Sequence, residues 1–256
     1  MLLCVDIGNT HTVLGVFDDD RLVGHWRLAT DPRRTADELG LLIRGLLDSA
    51  HFSGRIDGLA CCSTVPAALR EVRAMSNRWF ASAPLVVVEP GIRTGVPILY
   101  DNPKEVGADR IVNSLAAFTL HGGPAVVVDF GTSTNFDVVS ERGEFIGGVL
   151  APGIDISIDA LASRAAQLMK VQVTKPRAVI GKNTVEALQS GIVYGFAAQV
   201  DGIVTRIAEQ LSAKPVVIAT GGLASVVLDE CRTIDVHEPW LTLTGLRLVY
   251  QRNIPE

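Results

Sequence analysis

The sequence predicts an α/β protein built from two similar lobes, each with a mixed sheet flanked by helices. The first observation is a repeat, because residues 5–13 (VDIGNTHTV) are echoed by residues 128–136 (VDFGTSTNF). The echo runs at a constant offset of 123 residues and needs no gap as far as residues 22–24 and 145–147. The second observation is the element order, in which three β-rich runs precede helix and strand patterns in each half. Both observations favour a duplicated architecture.

The first lobe, predicted over residues 1–119, begins with a strand meander. Its predicted strands are residues 2–7, 12–17, 21–29, 58–63 and 85–89. Thr35 can cap a helix, and Pro66 suits the first turn of a second helix that runs to about residue 81. The apolar face of the first helix consists of Leu39, Leu42, Ile43, Leu46 and Leu47. This order is the one that a ribonuclease-H-like lobe requires.

An irregular, proline-containing connection over residues 90–104 links this lobe to the next helix. Irregular segments beside a rigid scaffold often contain binding groups. The helix that follows extends to residue 118 and places Asp109 and Arg110 in its first turns. We expect this helix to cross between the lobes.

The second lobe, predicted over residues 120–256, repeats the meander. Its predicted strands are residues 125–129, 134–139, 144–150 and 216–219. Helices are predicted from Pro152 through Ala165, from a Thr184 N-cap to Leu211, and from about Pro239 onward. A stripe of small residues on the long helix consists of Gly191, Gly195, Ala198 and Gly202. Internal packing and a homodimer seam both remain open for this stripe.

Composition excludes several classes of function. The net charge of −5, without a long basic run, argues against nucleic acid or an anionic membrane surface as a partner. The sequence contains no uninterrupted apolar run of about 18 residues, and residue 1 leads directly into a strand. We therefore expect a cytoplasmic protein. The four cysteines have no metal-ligand spacing and are interpreted as small buried hydrophobes.

The repeated stretch has the chemistry of a phosphate-binding turn. Each copy is an apolar strand that ends in an acid, followed by a Gly turn rich in hydroxyls and amides. Gly allows the backbone N–H groups to approach a phosphate, and the Asp can hold a cation. The TGG turn of residues 220–222 offers backbone to an adenosine. No P-loop or dinucleotide-binding glycine motif is present, so those alternatives have little support.

Four segments together resemble the type III pantothenate kinase family, which belongs to the superfamily of acetate and sugar kinases, Hsc70 and actin. They are residues 6–10 (DIGNT), 99–103 (LYDNP), 107–113 (GADRIVN) and 129–132 (DFGT), and GADR is the specific part. The resemblance covers essentially the whole chain. It implies an actin-like ATPase architecture and ATP-dependent phosphorylation of pantothenate, the first step of coenzyme A biosynthesis. It also implies a homodimer that uses Mg²⁺ and a monovalent cation, K⁺ or NH₄⁺.

The resemblance also implies roles for individual residues. ATP is implied to bind at Asp6, Ile7, Gly8, Asn9, Thr10, His11, Thr12, Val13 and Thr132. Pantothenate is implied to bind at Tyr100, Gly107, Ala108, Asp109, Arg110 and Thr184, with Thr184 reaching across the dimer. Asp109 becomes the general base. Asp129 becomes the acid of the monovalent-cation site, and Asp6 holds Mg²⁺ through phosphate or water.

The chemistry of the residues agrees with these roles, since Arg110 offers a bidentate fork to a carboxylate and Asp109 can accept a proton from an alcohol. Without the resemblance, the same two residues would predict an ion pair within the helix or between the lobes. The second turn departs from the family's G-T-A-x-T pattern at Ser133 and Asn135. Contacts to metal or phosphate at Asn135 therefore remain open, and Asp137 is a further candidate acid.

Two other functions compete with this interpretation. The first is a non-catalytic nucleotide-binding regulator on the same fold, against which the intact Asp6, Asp109 and Asp129 argue. The second is a kinase of another hydroxylated acid or sugar.

Overall fold

The computed structural model describes residues 1–164 and 171–254, which divide into two compact units. The first unit comprises Met1–Val96, Asp101–Ala116 and the segment that begins at Leu241. The second unit comprises Pro97–Tyr100 and Ala117–Trp240. Each unit has its own sheet and apolar core.

The strands are β1 (Leu2–Ile7), β2 (His11–Asp18), β3 (Arg21–Ala29), β4 (Gly58–Ser63), β5 (Leu85–Val87), β6 (Ala125–Phe130), β7 (Ser133–Val139), β8 (Phe145–Pro152), β9 (Val216–Thr220) and β10 (Val236–His237). The helices are α1 (Ala36–Ser49), α2 (Pro66–Trp79), α3 (Ala108–His121), α4 (Ile154–Arg164), α5 (Thr184–Ala208), α6 (Ala224–Val227) and α7 (Leu241–Asn253). A 3₁₀ turn, Pro103–Glu105, precedes α3. Among the helices of the described ranges, none combines the length and apolar character that crossing a bilayer requires.

In the first unit the sheet has the strand order β3-β2-β1-β4-β5. The first three strands are antiparallel, while β4 and β5 continue the sheet in parallel with β1. Helices α1 and α2 contact each other, and apolar side chains from both lie in one core with β1, β2 and β4. Helix α1 begins with a capping box, in which Thr35 accepts from the Glu38 N–H and Glu38 accepts from the Thr35 N–H. The predicted Thr35 cap is therefore confirmed.

The second unit has the corresponding order, with β8-β7-β6 antiparallel and β9 and β10 added in parallel. Its core contains Val126, Val128, Phe130 and Phe136 from the sheet, together with apolar residues from α4, α5 and α6. The fold class of two ribonuclease-H-like lobes with mixed sheets is confirmed.

The constant offset between the copies is broken at the turn. Ile7 pairs with Thr12, whereas Phe130 pairs with Thr134, so the second turn is one residue shorter. Thr12 therefore corresponds to Thr134, at an offset of 122 residues rather than 123. The constant offset of 123 residues in the sequence comparison instead matches Val13 with Phe136.

The lost residue is recovered in the next hairpin. Gly24 pairs with Val16 and Gly147 pairs with Val138, which restores the offset of 123 residues. In both copies the register shifts at the residue after Val16 or Val138. A shared β-bulge at the same place supports a true structural repeat.

Several boundaries differ from the sequence prediction. The N-cap of α5 is Asn183, whose side chain accepts from the Glu186 N–H, so Thr184 is the first helical residue and not the cap. Strand β10 was not predicted. The predicted helix ending at Ala165 can be followed only to Arg164, because Ala165 lies outside the described residues.

The predicted division at residues 119 and 120 falls inside α3. The sequence prediction includes the last helix, α7, in the second lobe. In the structure α7 belongs to the first unit, where it contacts β1 and β4. Its buried face consists of Leu241, Leu243, Gly245, Leu246 and Val249. Gly245 lies against the Val112 carbonyl group of α3, where a Cβ would clash. Helix α7 therefore packs closely on the first half of α3.

Candidate functional site

The turn between β1 and β2 is closed by its own backbone. The Gly8 N–H donates to the His11 carbonyl oxygen at 3.0 Å, which leaves Asn9 and Thr10 at the tip. The side chains of Asn9, Thr10 and His11 are exposed, and Asp6 is half-buried at the end of the strand. The turn therefore presents amide, hydroxyl and imidazole groups to solvent beside a carboxylate.

Neighbouring segments hold this turn on both sides. On one side, the Thr30 N–H donates to the Thr10 carbonyl oxygen at 3.0 Å, and the hydroxyls of Thr12 and Thr30 lie 2.9 Å apart. On the other side, Thr64 donates to the Ile7 carbonyl oxygen through its N–H at 3.0 Å and its hydroxyl at 3.3 Å. The turn is therefore fixed before any ligand binds, which lowers the entropic cost of binding.

Asp6 contacts a buried thiol on the adjacent strand. The parallel pairing of β1 with β4 places Asp6 opposite Cys62, and the Cys62 thiol donates to Asp6 Oδ1 at 3.3 Å. Burial and then the Asp6 carboxylate raise the pKa of Cys62 well above its ordinary value, and Cys61 and Asp109 raise it further. The charges of Asp6 and Asp109 therefore act on the same thiol inside the first unit.

Asp109 lies in the first turn of α3, with its carboxylate folded back against Gly107. Burial raises the pKa of Asp109, while the backbone N–H and then the guanidinium charge of Arg110 oppose that rise. Arg110 is itself buried, and its carbonyl oxygen accepts from the Ser114 hydroxyl at 2.8 Å. A carboxylate with a raised pKa beside a buried cation is the kind of group that serves as a general base.

In the second unit, three glycine-containing segments meet around residues 129–132. The Gly131 N–H donates to the Ser133 carbonyl oxygen at 3.0 Å, so that Thr132 alone forms the tip of this turn. Gly153, just before α4, packs on the carbonyl oxygens of this turn, where a Cβ would clash. Gly221 has a φ of +93° and packs on Asp129 Oδ1 and the Phe130 backbone. The predicted phosphate and adenosine turns are therefore adjacent in this unit.

The departure from the family pattern produces a local side-chain pair. The Ser133 hydroxyl donates to Asn135 Oδ1 at 2.6 Å, and Asn135 lies opposite Asp129 in the pairing of β6 with β7. Asp137 is fully buried two residues further along the same face of β7. Ser133 and Asn135 therefore form a hydrogen-bonded pair next to Asp129.

The remaining predicted substrate residues belong to the second unit, whereas residues 107–110 belong to the first. The Tyr100 ring lies 6.0 Å from the Phe145 ring, measured between centroids, and the neighbouring Leu99 N–H donates to the Phe145 carbonyl oxygen at 2.8 Å. Thr184 is exposed at the start of α5. The structure thus places Asp6 and Asp109 together in the first unit, and Asp129 and Thr132 together in the second.

The small-residue stripe faces outward on α5. Gly191, Gly195 and Ala198 are exposed, and a Cβ at Gly191 or Gly195 would meet no described atom within 4 Å. Internal packing, one of the two readings left open by the sequence, is therefore excluded at these two glycines within the described part of the chain.

Sequence reasoning missed Cys62 and treated it as a core residue. Its position contained a usable signal, because Cys62 is the fifth residue of the predicted strand 58–63 just as Asp6 is the fifth residue of the strand 2–7. Parallel strands in register bring equivalent positions side by side. For metals, residues 1–164 and 171–254 contain no group of three or more His, Cys, Asp or Glu side chains arranged to hold an ion.

Solved structures resemble this fold at low sequence identity. They include a Baf family protein from Campylobacter jejuni (TM-score 0.61, 19% identity, 98% of each chain). They also include component A of the Acidaminococcus fermentans (R)-2-hydroxyglutaryl-CoA dehydratase (TM-score 0.56, 14% identity, 97% of this chain and 96% of that chain). A third is the ROK hexokinase of Thermus thermophilus (TM-score 0.53, 15% identity, 98% of this chain and 99% of that chain). At these identities the likeness establishes the fold alone.

Sequence comparison is more specific. The model of the type III pantothenate kinase family matches residues 2–206. A type III pantothenate kinase from Acidothermus cellulolyticus is 83% identical over 256 residues and covers 100% of both chains. Another, from Frankia alni, is 68% identical over 254 residues, which is 99% of this chain and 100% of that one. The chain belongs to the type III pantothenate kinase family.

Proposed function

We propose that this protein transfers the γ-phosphoryl group of ATP to the primary hydroxyl of pantothenate, which gives 4′-phosphopantothenate and ADP and begins coenzyme A biosynthesis. Membership of the type III pantothenate kinase family indicates that the substrate is pantothenate. The structural observation that supports the chemistry is the Asp109 carboxylate, which packs against Gly107 beside the buried Arg110 and whose pKa is raised by burial. Asp6, the acid proposed to hold Mg²⁺, belongs to the same unit as this base.

ATP is proposed to bind at residues 6–13 and at Thr132. The exposed tip of the first turn offers an amide, a hydroxyl and an imidazole, and these groups suit phosphate oxygens. The second turn contributes the hydroxyl of Thr132. Gly153 packs on the backbone of this turn, and Gly221 packs on Asp129 and Phe130, which precede it. Both turns are held by hydrogen bonds or backbone packing, which is the preorganisation that phosphoryl transfer needs.

The oxygen donors fit the two cations that the family implies. Asp6 would hold Mg²⁺ through phosphate or water, and Asp129 would hold K⁺ or NH₄⁺, because carboxylate oxygens are suitable ligands for hard cations. When bound, the divalent ion neutralises phosphate charge. The Asp129 carboxylate is supported by Gly221 on one side and faces Asn135 across the strand pair.

Asp109 is proposed to act as general base. The pantothenate hydroxyl oxygen forms a bond to the γ-phosphorus as the bond from that phosphorus to the ADP oxygen breaks, and the hydroxyl proton passes to Asp109. Since phosphoryl transfer asks little covalent work of a protein, placement of the hydroxyl matters as much as the basicity of Asp109. The packing of the Asp109 carboxylate against Gly107 restrains the position of the base toward which that hydroxyl must point.

Pantothenate is proposed to bind at Gly107, Ala108 and Arg110 and at Tyr100 and Thr184. The guanidinium of Arg110 suits the substrate carboxylate, since it can donate two parallel hydrogen bonds. Thr184 is proposed to come from the second subunit of a homodimer whose seam is the exposed stripe on α5. We expect this enzyme to work in the cytoplasm.

A coupled ADP-release assay with and without pantothenate tests the function. We expect turnover that depends on pantothenate and exceeds turnover with other hydroxylated acids or with sugars. Preference for another acceptor would point to a different kinase of this fold. ATP binding without turnover on any small alcohol would favour the regulator instead.

A further inference from the structure

Cys62 lies beside the strand end that leads into the first phosphate turn, and it has none of the roles proposed above. We propose that Cys62 is a positioning residue, whose thiol orients the Asp6 carboxylate for binding of Mg²⁺ and ATP. This inference rests on the proposed role of Asp6 in that binding. Cys62 is fully buried and touches no reacting group itself, so its effect must pass through Asp6.

The strand register brings the two side chains together. Strands β1 and β4 are parallel, with Asp6 opposite Cys62 and Ile7 opposite Ser63. The Cys62 thiol donates to Asp6 Oδ1 at 3.3 Å. A hydrogen bond to one carboxylate oxygen restricts the rotation of the whole group, so this contact contributes to the orientation of Asp6. Both strands lie inside the sheet, between β2 and β5, and their backbone pairing keeps the donor in place.

The adjacent cysteine provides an internal comparison. Cys61 and Cys62 are both fully buried, but successive residues of a strand point to opposite faces of the sheet. Cys61 lies in the apolar core with Leu3 and Leu59 and donates only weakly, to the Cys62 carbonyl oxygen at 3.5 Å. Of these two thiols, one therefore serves packing and the other contacts an acid of the site.

A neutral donor suits this position. Asp6 and Asp109 both act electrostatically on Cys62, so a cationic donor in its place would neutralise charge that the two acids need for cation binding and for proton transfer. The thiol restrains Asp6 without adding a positive charge. Cys62 thus orients one acid and leaves the charge of both unchanged.

The test compares Cys62→Ala, Cys62→Ser and Cys61→Ala in the full-length protein. We expect Cys62→Ala to raise about five-fold both the Mg²⁺ concentration for half-maximal activity and the Kd of ATP measured by calorimetry with Mg²⁺ present, as loss of one hydrogen bond predicts. Cys61→Ala removes the same atom from the core, so it should lower the melting temperature similarly while leaving both quantities unchanged. Cys62→Ser keeps a donor and should recover most of the lost affinity.

Equal effects of Cys62→Ala and Cys61→Ala on ATP affinity would overturn the proposal, and so would a Cys62→Ser variant as weak as Cys62→Ala. If Cys62→Ala does not fold, Cys62→Val, which fills the site without a donor, replaces it in the comparison with Cys62→Ser, and a Cys62→Val variant with wild-type Mg²⁺ dependence would overturn the proposal. Asp6→Asn distinguishes the proposed role of Asp6 from the proposed role of Cys62. Wild-type ATP affinity in Asp6→Asn would overturn the role of Asp6, whereas loss of affinity there combined with a silent Cys62→Ala would overturn the role of Cys62 alone.

Discussion

The backbone of Gly107 lies directly against the Asp109 carboxylate, and a Cβ at position 107 would overlap Asp109 Oδ1. The absence of a side chain at 107 is therefore a condition for the observed placement of Asp109. We expect Gly107→Ala to lower kcat by about 10- to 100-fold, because a displacement on the order of 1 Å is costly in a preorganised site. Steady-state kinetics with saturating ATP and pantothenate measure this effect.

Gly45→Ala is a matched control for this substitution. Gly45 lies within α1, and a Cβ there would meet no described atom within 4 Å. We expect wild-type kcat and a gain of about 0.5–1 kcal/mol in the free energy of unfolding, since Ala is favoured over Gly inside helices. Equal kinetics of Gly107→Ala and Gly45→Ala would refute the steric argument at position 107.

Removal of the Asp109 charge should have opposite effects on activity and stability. As a missing general base, Asp109→Asn should reduce kcat by about 10²- to 10⁴-fold. Burial raises the pKa of Asp109 in the folded protein, so the folded state binds a proton more tightly than the unfolded state does. Wild-type stability therefore falls as the pH rises from the unfolded pKa through the raised folded pKa, and it stays lower above that window.

Asn carries no charge at any of these pH values, so Asp109→Asn should melt at a higher temperature than wild type at pH 7, and the difference should shrink toward pH 4. Thermal melts at several pH values measure it. The acid limb of wild-type kcat/KM should follow the same raised pKa, with activity increasing as Asp109 deprotonates. A variant that is active, or that is less stable than wild type at neutral pH, would contradict the assignment of a desolvated base.

Gly221→Ala should disturb the second turn through contact as well as through strain. Gly221 has a φ of +93° and lies against Asp129 Oδ1 and the Phe130 backbone. The positive φ alone costs about 1–2 kcal/mol, and the added Cβ would push Asp129 away. We expect a lower melting temperature and a rise in the K⁺ concentration needed for half-maximal activity.

Gly91→Ala distinguishes the effect of backbone strain from the effect of contact with Asp129. Gly91 has a similar φ of +102°, but a Cβ there would have no described atom within 4 Å. Gly91→Ala should lower the free energy of unfolding by about as much as the backbone strain in Gly221→Ala does. It should leave the K⁺ dependence of activity unchanged. If both variants show wild-type K⁺ dependence, Asp129 does not belong to the monovalent-cation site.

A bulky residue in the exposed stripe should disrupt the proposed dimer. Gly195 faces outward on α5 and has open space where a Cβ would be, so Gly195→Leu should leave the fold of one subunit intact and prevent close approach of a second. Light scattering should then report a monomer. Gly45→Leu places the same side chain in open space on α1 and should leave the assembly unchanged. An intact dimer in Gly195→Leu would exclude this stripe as the seam.

Local chemistry explains which elements the sequence could predict. Thr35 and Glu38 form a capping box within four residues, so the start of α1 is encoded where it occurs. Strand β10 has only two residues and exists because it pairs with β9, which no local pattern indicates. At α5, neighbouring Asn183 and Thr184 are both good capping residues, and the side chain of Asn183 forms the bond.

The candidate site shows the same division between local and distant information. The acids Asp6, Asp109 and Asp129 could be found because motif residues surround them in the chain. Cys62 could not be found that way, since its contact with Asp6 depends on the parallel pairing of β1 with β4 across 56 residues. The shorter second turn was also hidden, because the following hairpin restores the offset and the flanking residues still match.

The membership of α7 in the first unit has a consequence for the order of events during synthesis. All but four residues of the second unit form one continuous stretch, Ala117–Trp240, whereas the first unit needs α7, which leaves the ribosome after that whole stretch. Until α7 emerges, the faces of β1 and β4 that it covers remain exposed. The chain of the second unit is therefore synthesised in full before the first unit, which contains Asp6, Cys62 and Asp109, receives α7. The nascent chain thus acquires its proposed base and first phosphate turn in finished form only after α7 has emerged.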